Sequence, residues 1–191
     1  MRVLLIRHGT SIWNNEQRWQ GWADPPLSAD GVTQAEAVAA ALRGLDIHIV
    51  VSSDLARARL TAEIIASVTG VKVSIEPALR ERDIGLWTGL TSAEVESRWP
   101  GQQEMYRANP KIPFPNGEEA EVLVRRAIPV LLTIAQQDPH DGVAVVVSHG
   151  GLIRCVRLAL GGTDRPVPEL GGCWLEARDH GLWLVADTDV D

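Results

Sequence analysis

The chain has 191 residues, 45% of them hydrophobic, and a formal net charge of −7, enough apolar material for one full core and, by default, a single domain over residues 1–191. An acidic chain is a poor candidate for a nucleic-acid groove, although a few clustered arginines can still build a local anion site. The only two cysteines, Cys155 and Cys173, are too few for a disulfide framework and lack zinc-site spacing, so a reducing, cytoplasmic compartment is expected.

The chain opens with four apolar residues, Val3 to Ile6, between Arg2 and Arg7. That is too short for a secretory apolar region, and no later stretch approaches a membrane span, so no membrane partner is expected. The run reads instead as a buried strand that delivers Arg7, His8 and Gly9 at its C-terminal end. A polar loop bearing Trp13, Trp19 and Trp22 follows, and Ser28-Ala-Asp-Gly leads into an alanine-rich helix over about residues 31–43, with Ser28 or Asp30 as N-cap. Ile47 to Val51 repeats the strand pattern. Ser52-Ser53-Asp54 offers three cap residues for a helix over about 55–68 that stops near Gly70, and Val71 to Ile75 predicts a short third strand.

Residues 80–118 differ from the rest. Gly, Pro and Trp recur there, the helical signal is confined to Ser92 to Trp99, and Pro110, Pro113 and Pro115 punctuate the remainder; the segment reads as an inserted cap. A helix over about 118–137 contains Pro129, which removes a backbone donor and predicts a kink or break. Val143 to Val147 predicts another buried strand, followed by His149-Gly150-Gly151 and a helix over about 151–160. Cys173 to Ala177 and Leu182 to Ala186, around Asp179-His180-Gly181, predict a terminal hairpin. Together these elements predict a three-layer α/β sandwich: a mainly parallel central sheet, helices on both faces, and a ligand at the carboxyl ends of the strands.

Two of the five histidines, His8 and His149, each follow a strand and precede a glycine, which puts both on the ligand-binding edge. Arg7 precedes one of them, and Arg57 lies in the first turn of the helix after another strand. Guanidinium forks match phosphate oxygens bidentately, so the group makes an anion site. The strand-tip histidine adds a candidate nucleophile, and Glu81, between Arg80 and Arg82, a candidate general acid. His48, His140 and His180 have no motif partners and read as ordinary surface or core residues. Glu118, Glu119 and Glu121 read as a solvated first helical turn rather than a metal site, and no metal or cofactor is expected.

Four ordered blocks carry a resemblance. Leu5-Ile6-Arg7-His8-Gly9 with Trp13-Asn14, Gly21, Asp24, Pro26-Leu27-Ser28, Gly31 and Gln34-Ala35 is the first. Ser52-Ser53-Asp54-Leu55 with Arg57-Ala58 and Thr61-Ala62 is the second, Leu79-Arg80-Glu81 with Gly85, Trp87 and Gly89 the third, and Val147-Ser148-His149-Gly150-Gly151 the fourth. In this set the chain resembles the histidine phosphatase superfamily, the phosphoglycerate mutase-like proteins, from residue 3 to about 160. The resemblance implies that His8 accepts the phosphoryl group, that Glu81 protonates the leaving oxygen, and that Arg7, Arg57, His149 and Asn14 hold the phosphate. It departs from the family after Arg-His-Gly, where a glutamate followed by threonine or serine is common and Thr10-Ser11 stand here.

The implied chemistry is physically consistent. His8 must be neutral to attack phosphorus, which neighbouring cations favour, and Glu81 must start protonated, which a bound phosphate dianion favours. The expected activity is metal-independent hydrolysis of a small-molecule phosphomonoester. A phosphoglycerate mutase and a non-catalytic phospholigand-binding module are the alternatives. Trp19 and Trp22 flank the site loop as candidate substrate contacts, and a homodimer is left open.

Overall fold

Four consecutive apolar residues give a strand no face to turn to water, and Val3 to Ile6 are accordingly buried in the middle of a sheet. The computed structural model describes residues 1–137, 142–179 and 181–188. Its strands are β1 (Arg2–Arg7), β2 (Ile47–Ser52), β3 (Val73–Ile75), β4 (Val143–Ser148), β5 (Gly172–Arg178) and β6 (Gly181–Thr188). Its helices are α1 (Ile12–Asn15), α2 (Ala29–Ala41), α3 (Ala56–Thr69), α4 (Ser92–Arg98), α5 (Gln102–Ala108), α6 (Ala120–Gln136) and α7 (Gly150–Ala159). The sheet order is β3-β2-β4-β1-β5-β6. The first four strands are parallel, and the β5–β6 hairpin extends the sheet antiparallel from β1.

Successive strand residues point to opposite faces, and two cores divide along that alternation. Val3 and Leu5 with Ala144 and Val146 pack under Leu123, Ala127 and Leu131 of α6 and Leu152 and Val156 of α7. Leu4 and Ile6 with Val145 and Val147 face Val38 and Ala39 of α2 and Ala58, Ala62 and Ile65 of α3. Each buried Leu, Ile or Val contributes about 1.5–3 kcal/mol relative to exposure, so alternation alone fixes the three-layer arrangement. A third apolar cluster, separate from both, gathers Ile84, Trp87, Val95 and Phe114 with Trp19, Trp99 and Tyr106 around them. It draws together most of the chain's aromatic rings. The guanidinium of Arg82 is buried against it, 4.8 Å from the Phe114 ring, and donates to the carbonyls of Pro110 (2.6 Å), Glu118 (2.7 Å) and Ile112 (3.1 Å).

Several local expectations change. Ser28, not Asp30, caps α2, accepting the Gly31 N–H. None of Ser52, Ser53 and Asp54 caps α3; its N-cap position is Leu55, and the Ala56 N–H goes to Asp24 in the preceding loop at 2.6 Å. Asp54 is drawn away by a bidentate pair with Arg80 at 2.8 and 2.5 Å. α6 runs unbroken through Pro129, because the proline lies on the exposed side while Leu123, Ala127, Leu131 and Ile134 anchor both halves to the core. α5 was not anticipated: it has seven residues, mostly polar, and no side-chain cap. His48 is exposed beside Asp46, while His140 and His180 lie outside the described residues. No helix among the described residues is long and apolar enough to cross a membrane.

The loop after β1 is pressed against the start of α2. A β-carbon at Gly31 would fall 2.0 Å from the Thr10 carbonyl oxygen, and one at Gly9 would fall 2.6 Å from the Gly31 oxygen. Helix propensity alone makes Gly31→Ala stabilising by about 1 kcal/mol, whereas backbone overlap makes it destabilising by about 1–3 kcal/mol. We expect a lowered melting temperature for Gly31→Ala; a raised one would show that α2 does not bear on the His8 loop.

Candidate active site

Three adjacent parallel strands end together, and their ends form the floor of the site. Beyond the regular ladder, the His8 N–H donates to Ser148 O (3.0 Å) and the Ser53 N–H to Val147 O (3.1 Å). The ends of β2, β4 and β1 therefore stay in register, setting Ser53, His149 and His8 side by side. The rings of His8 and His149 are 5.2 Å apart, edge to face.

His8 is held at both ring nitrogens. Nδ1 contacts the Gly9 carbonyl oxygen at 2.6 Å, and Nε2 lies 3.1 Å from Nε of Arg57. The Arg57 Nε–H can only donate, so Nε2 carries the lone pair and Nδ1–H donates to Gly9. Burial, then the charges of Arg57 and Arg7, hold the His8 pKa well below 6.5, with the Gly9 hydrogen bond opposing. The ring is neutral, with Nε2 as its basic atom.

Arg57 is fully buried and also donates to Ala23 O (2.7 Å) and Gly21 O (2.9 Å), so it shapes the loop as well as the site. Burial brings its pKa down to about 10 against the opposing charges of Glu81 and Asp24, which leaves it cationic at neutral pH. Arg7 donates to Val167 O (2.8 Å) and pairs with Glu169 (2.9 Å). Asn14 is fixed by a capping box with Ser11: the Ser11 N–H donates to its Oδ1 at 2.9 Å, and the Asn14 N–H to Ser11 Oγ at 3.2 Å. With Oδ1 occupied, its amide N–H groups are the free end. Ser11 thus orients a predicted phosphate ligand, and only Thr10 departs from the glutamate-then-threonine-or-serine pattern.

His149 stands behind the others, wholly buried and outside the cavity lining. Its Nε2 is 2.9 Å from Ser53 Oγ, and its Nδ1 is buried with no partner among the described residues. Ser53 Oγ accepts the Leu55 N–H; where it gives its own proton to His149 Nε2, Nδ1–H is the ring's donor. Burial, followed by Arg57, lowers the His149 pKa well below 6.5.

The Glu81 carboxylate sits on the N-terminus of α7. It accepts from the N–H groups of Arg82 (2.8 Å), Gly151 (3.0 Å) and Leu152 (3.0 Å), a favourable place for negative charge. A β-carbon at position 151 would fall 2.6 Å from Glu81 Oε1, so this approach requires glycine. Arg7, His8, Asn14, Arg57 and Glu81 line one cavity of about 560 Å³ that extends past Trp13 and Trp19 toward Tyr106, Arg107 and Arg154. Trp22 is not in that lining; its Nε1–H donates to the Glu81 carbonyl at 2.6 Å, and the Arg80 guanidinium lies 5.3 Å from its ring.

Sequence reasoning missed the partners that come from far along the chain. Ser53 bonds the His149 ring, Glu169 holds Arg7, and Asp24 accepts the first N–H of the helix carrying Arg57. Glu118 was misread: Glu119 and Glu121 are exposed, but Glu118 is nearly buried and pairs with both ends of the Arg126 fork.

A neutral imidazole at a parallel strand tip, flanked by two guanidinium groups, defines a phosphate-handling α/β protein. Its family follows from comparison: the model of the histidine phosphatase superfamily (branch 1) matches residues 3–170, and the chain belongs to that superfamily. It is 34% identical over 193 residues to the glucosyl-3-phosphoglycerate phosphatase of Mycobacterium tuberculosis, spanning 94% of this chain and 86% of that one. It is 37% identical over 200 residues to a probable phosphoglycerate mutase of Citrobacter koseri, spanning 100% and 91%. The solved structure of mycobacterial glucosyl-3-phosphoglycerate phosphatase complexed with VO3 matches with a TM-score of 0.87 and 30% identity, over 97% of each chain.

The depressed histidines have a consequence for stability. As pH falls through 6.5, the unfolded chain protonates at positions 8 and 149 while the native rings stay neutral, so the unfolded state binds more protons and native stability drops. Two such groups give a slope of at most roughly 2.7 kcal/mol per pH unit between 6.5 and the native values. Urea denaturation between pH 5.5 and 7.5 should show stability rising with pH, and much less so in a His8→Asn/His149→Asn variant; an equal slope in both would place the titration elsewhere.

Proposed function

We propose that this protein is a phosphatase acting on small phosphomonoesters in two steps, through a phosphohistidine at His8. The observation that carries the proposal is the neutral His8 ring, with its Nε2 lone pair directed by Gly9 and Arg57 and cations on both sides. In this reading, Arg7, Arg57, the Asn14 amide and the His149 Nδ1–H take the non-bridging phosphate oxygens. Arg57 Nε releases the Nε2 lone pair, and Nε2 attacks phosphorus as the ester P–O bond breaks. Glu81 gives its proton to the leaving alkoxide, then takes one from the water that attacks the phosphohistidine, releasing inorganic phosphate and the free ring. The arginines neutralise the charge spread over the equatorial oxygens.

The rest of the cavity takes the organic group. Trp13, Trp19 and Tyr106 provide apolar and stacking surface, while Arg154 and Arg107 stand at its far side, and Arg107 forms no ion pair among the described residues. This mixture suits a phosphorylated carboxylic acid, bare or carrying a sugar, in keeping with the substrate that the mycobacterial relatives' name states. The residue 80–118 cap then selects the substrate, and a reducing, cytoplasmic setting fits two buried cysteines that are not joined. The mutase reading rests on the Citrobacter relative; with 3-phosphoglycerate we expect phosphate release and little 2-phosphoglycerate, and rapid isomerisation would reverse this ranking.

Because arginines supply the charge neutralisation, turnover should survive exhaustive chelation, and a loss restored by magnesium or zinc would refute this. Vanadate should inhibit competitively. Arg57→Ala, which removes charge-assisted bonds worth about 1.5–3 kcal/mol, should weaken vanadate inhibition by about 10- to 150-fold; unaltered inhibition would remove Arg57 from the phosphate site.

A further inference from the structure

Arg126 reaches from the middle of α6 to the turn that carries Glu81. Its Nη1 donates to the carbonyls of Ala78 (2.6 Å) and Arg80 (2.8 Å), and its Nη2 donates to the carbonyl of Glu81 (2.9 Å). Nε and Nη2 each donate to one Glu118 carboxylate oxygen at 2.8 Å. A guanidinium has five N–H donors in a rigid fork, and here all five are directed at one backbone turn and one carboxylate.

Glu118 is fixed in its own right. Its N–H donates to Asp83 O at 2.8 Å, and its carbonyl accepts from Arg82 Nε at 2.7 Å. The backbone is therefore tied down at residues 78, 80 and 81 by Arg126 and at 83 by Glu118. Trp22 approaches the same Glu81 carbonyl from the loop side. The Glu81 side chain then has only a short path from this fixed backbone to the α7 N-terminus, where its carboxylate rests. Arg126 does not line the cavity, so it makes no contact there with a bound substrate.

We infer that Arg126, locked by Glu118, is a positioning residue for the Glu81 carboxyl, governing proton transfer to the leaving group rather than phosphate binding. The inference rests on Glu81 being the proton donor. A displacement near 1 Å at a reacting group costs up to about 100-fold in rate, and lysine, a point charge with three donors, cannot reproduce the fork. The effect should therefore depend on how much the leaving group needs a proton.

The test compares an alkyl ester, 3-phosphoglycerate, with p-nitrophenyl phosphate, whose phenolate leaves unaided. Arg126→Lys should lower kcat on the alkyl ester by about 10- to 100-fold, leave the pre-steady-state release of nitrophenolate nearly unchanged, and leave vanadate inhibition as in wild type. Glu118→Gln, which keeps the shape and removes the charge, should shift the same ratio in the same direction, and it carries the comparison if the lysine variant does not fold. In a Glu81→Gln background, Arg126→Lys should add no further loss on the alkyl ester, since the group it positions is gone. Equal slowing of both esters, or an additive loss in the Glu81→Gln background, overturns the inference while leaving Glu81 in place. Absence of any leaving-group dependence in Glu81→Gln itself overturns the reading of Glu81 and the inference with it.

Discussion

The hydrogen bond from Arg57 Nε to His8 Nε2 is the contact on which the rest of the site depends. It exists only while the imidazole is neutral, since a protonated ring would present N–H against N–H. It also directs the one basic nitrogen of the ring toward a cation, the place of the phosphate in the proposed reaction. The same guanidinium reaches the carbonyls of Gly21 and Ala23, so one side chain joins α3, the tip of β1 and the loop that walls the cavity. Burying a guanidinium is costly. Its cost is offset here by carbonyl acceptors and by the negative field of Glu81 and Asp24.

Charge in the site is arranged by depth. The histidines, at the bottom, are kept neutral by burial and by the arginines. The arginines above them are kept in place by carbonyls and by Glu169. Glu81, at the side, rests on backbone N–H groups at the start of α7, within the field of the same arginines. In the proposed reading, a phosphate beside His8 faces the Arg7, Arg57 and Asn14 donors, and Nε2 of His8 presents it with a lone pair. In the proposed reaction the same hydrogen bonds set binding geometry and reaction direction, as expected where positioning and electrostatics carry the catalysis.

Much of this was legible in the sequence, for identifiable reasons. Apolar runs of strand length ending in Arg7-His8 and in Ser148-His149 locate two strand tips, and a parallel sheet puts such tips on one edge. Ser28 at the start of α2 and Gly70 at the end of α3 follow from cap chemistry. What escaped depends on pairing between distant segments. No local pattern says that Asp24 caps α3, that Asp54 leaves its helix for Arg80, or that Glu118 turns inward to Arg126. Pro129 was overruled by the packing of the opposite helix face, and α5 was too short and too polar to announce itself. Of the two candidate substrate contacts, Trp19 packs with Trp87, Trp99, Tyr106 and Phe114 and also borders the cavity, whereas Trp22 is not in its lining.

The central claim is that the phosphoryl group passes through Nε2 of His8, and trapping that intermediate tests it most directly. Rapid acid-free quenching of the enzyme during turnover of a phosphate ester, followed by peptide mass spectrometry, should find one phosphoryl group on the ring of His8, stable in base and lost in acid. The label should be absent from a His8→Asn variant. Steady turnover with no phosphorylated histidine under conditions that slow the second step, or a label on another residue, would contradict the account.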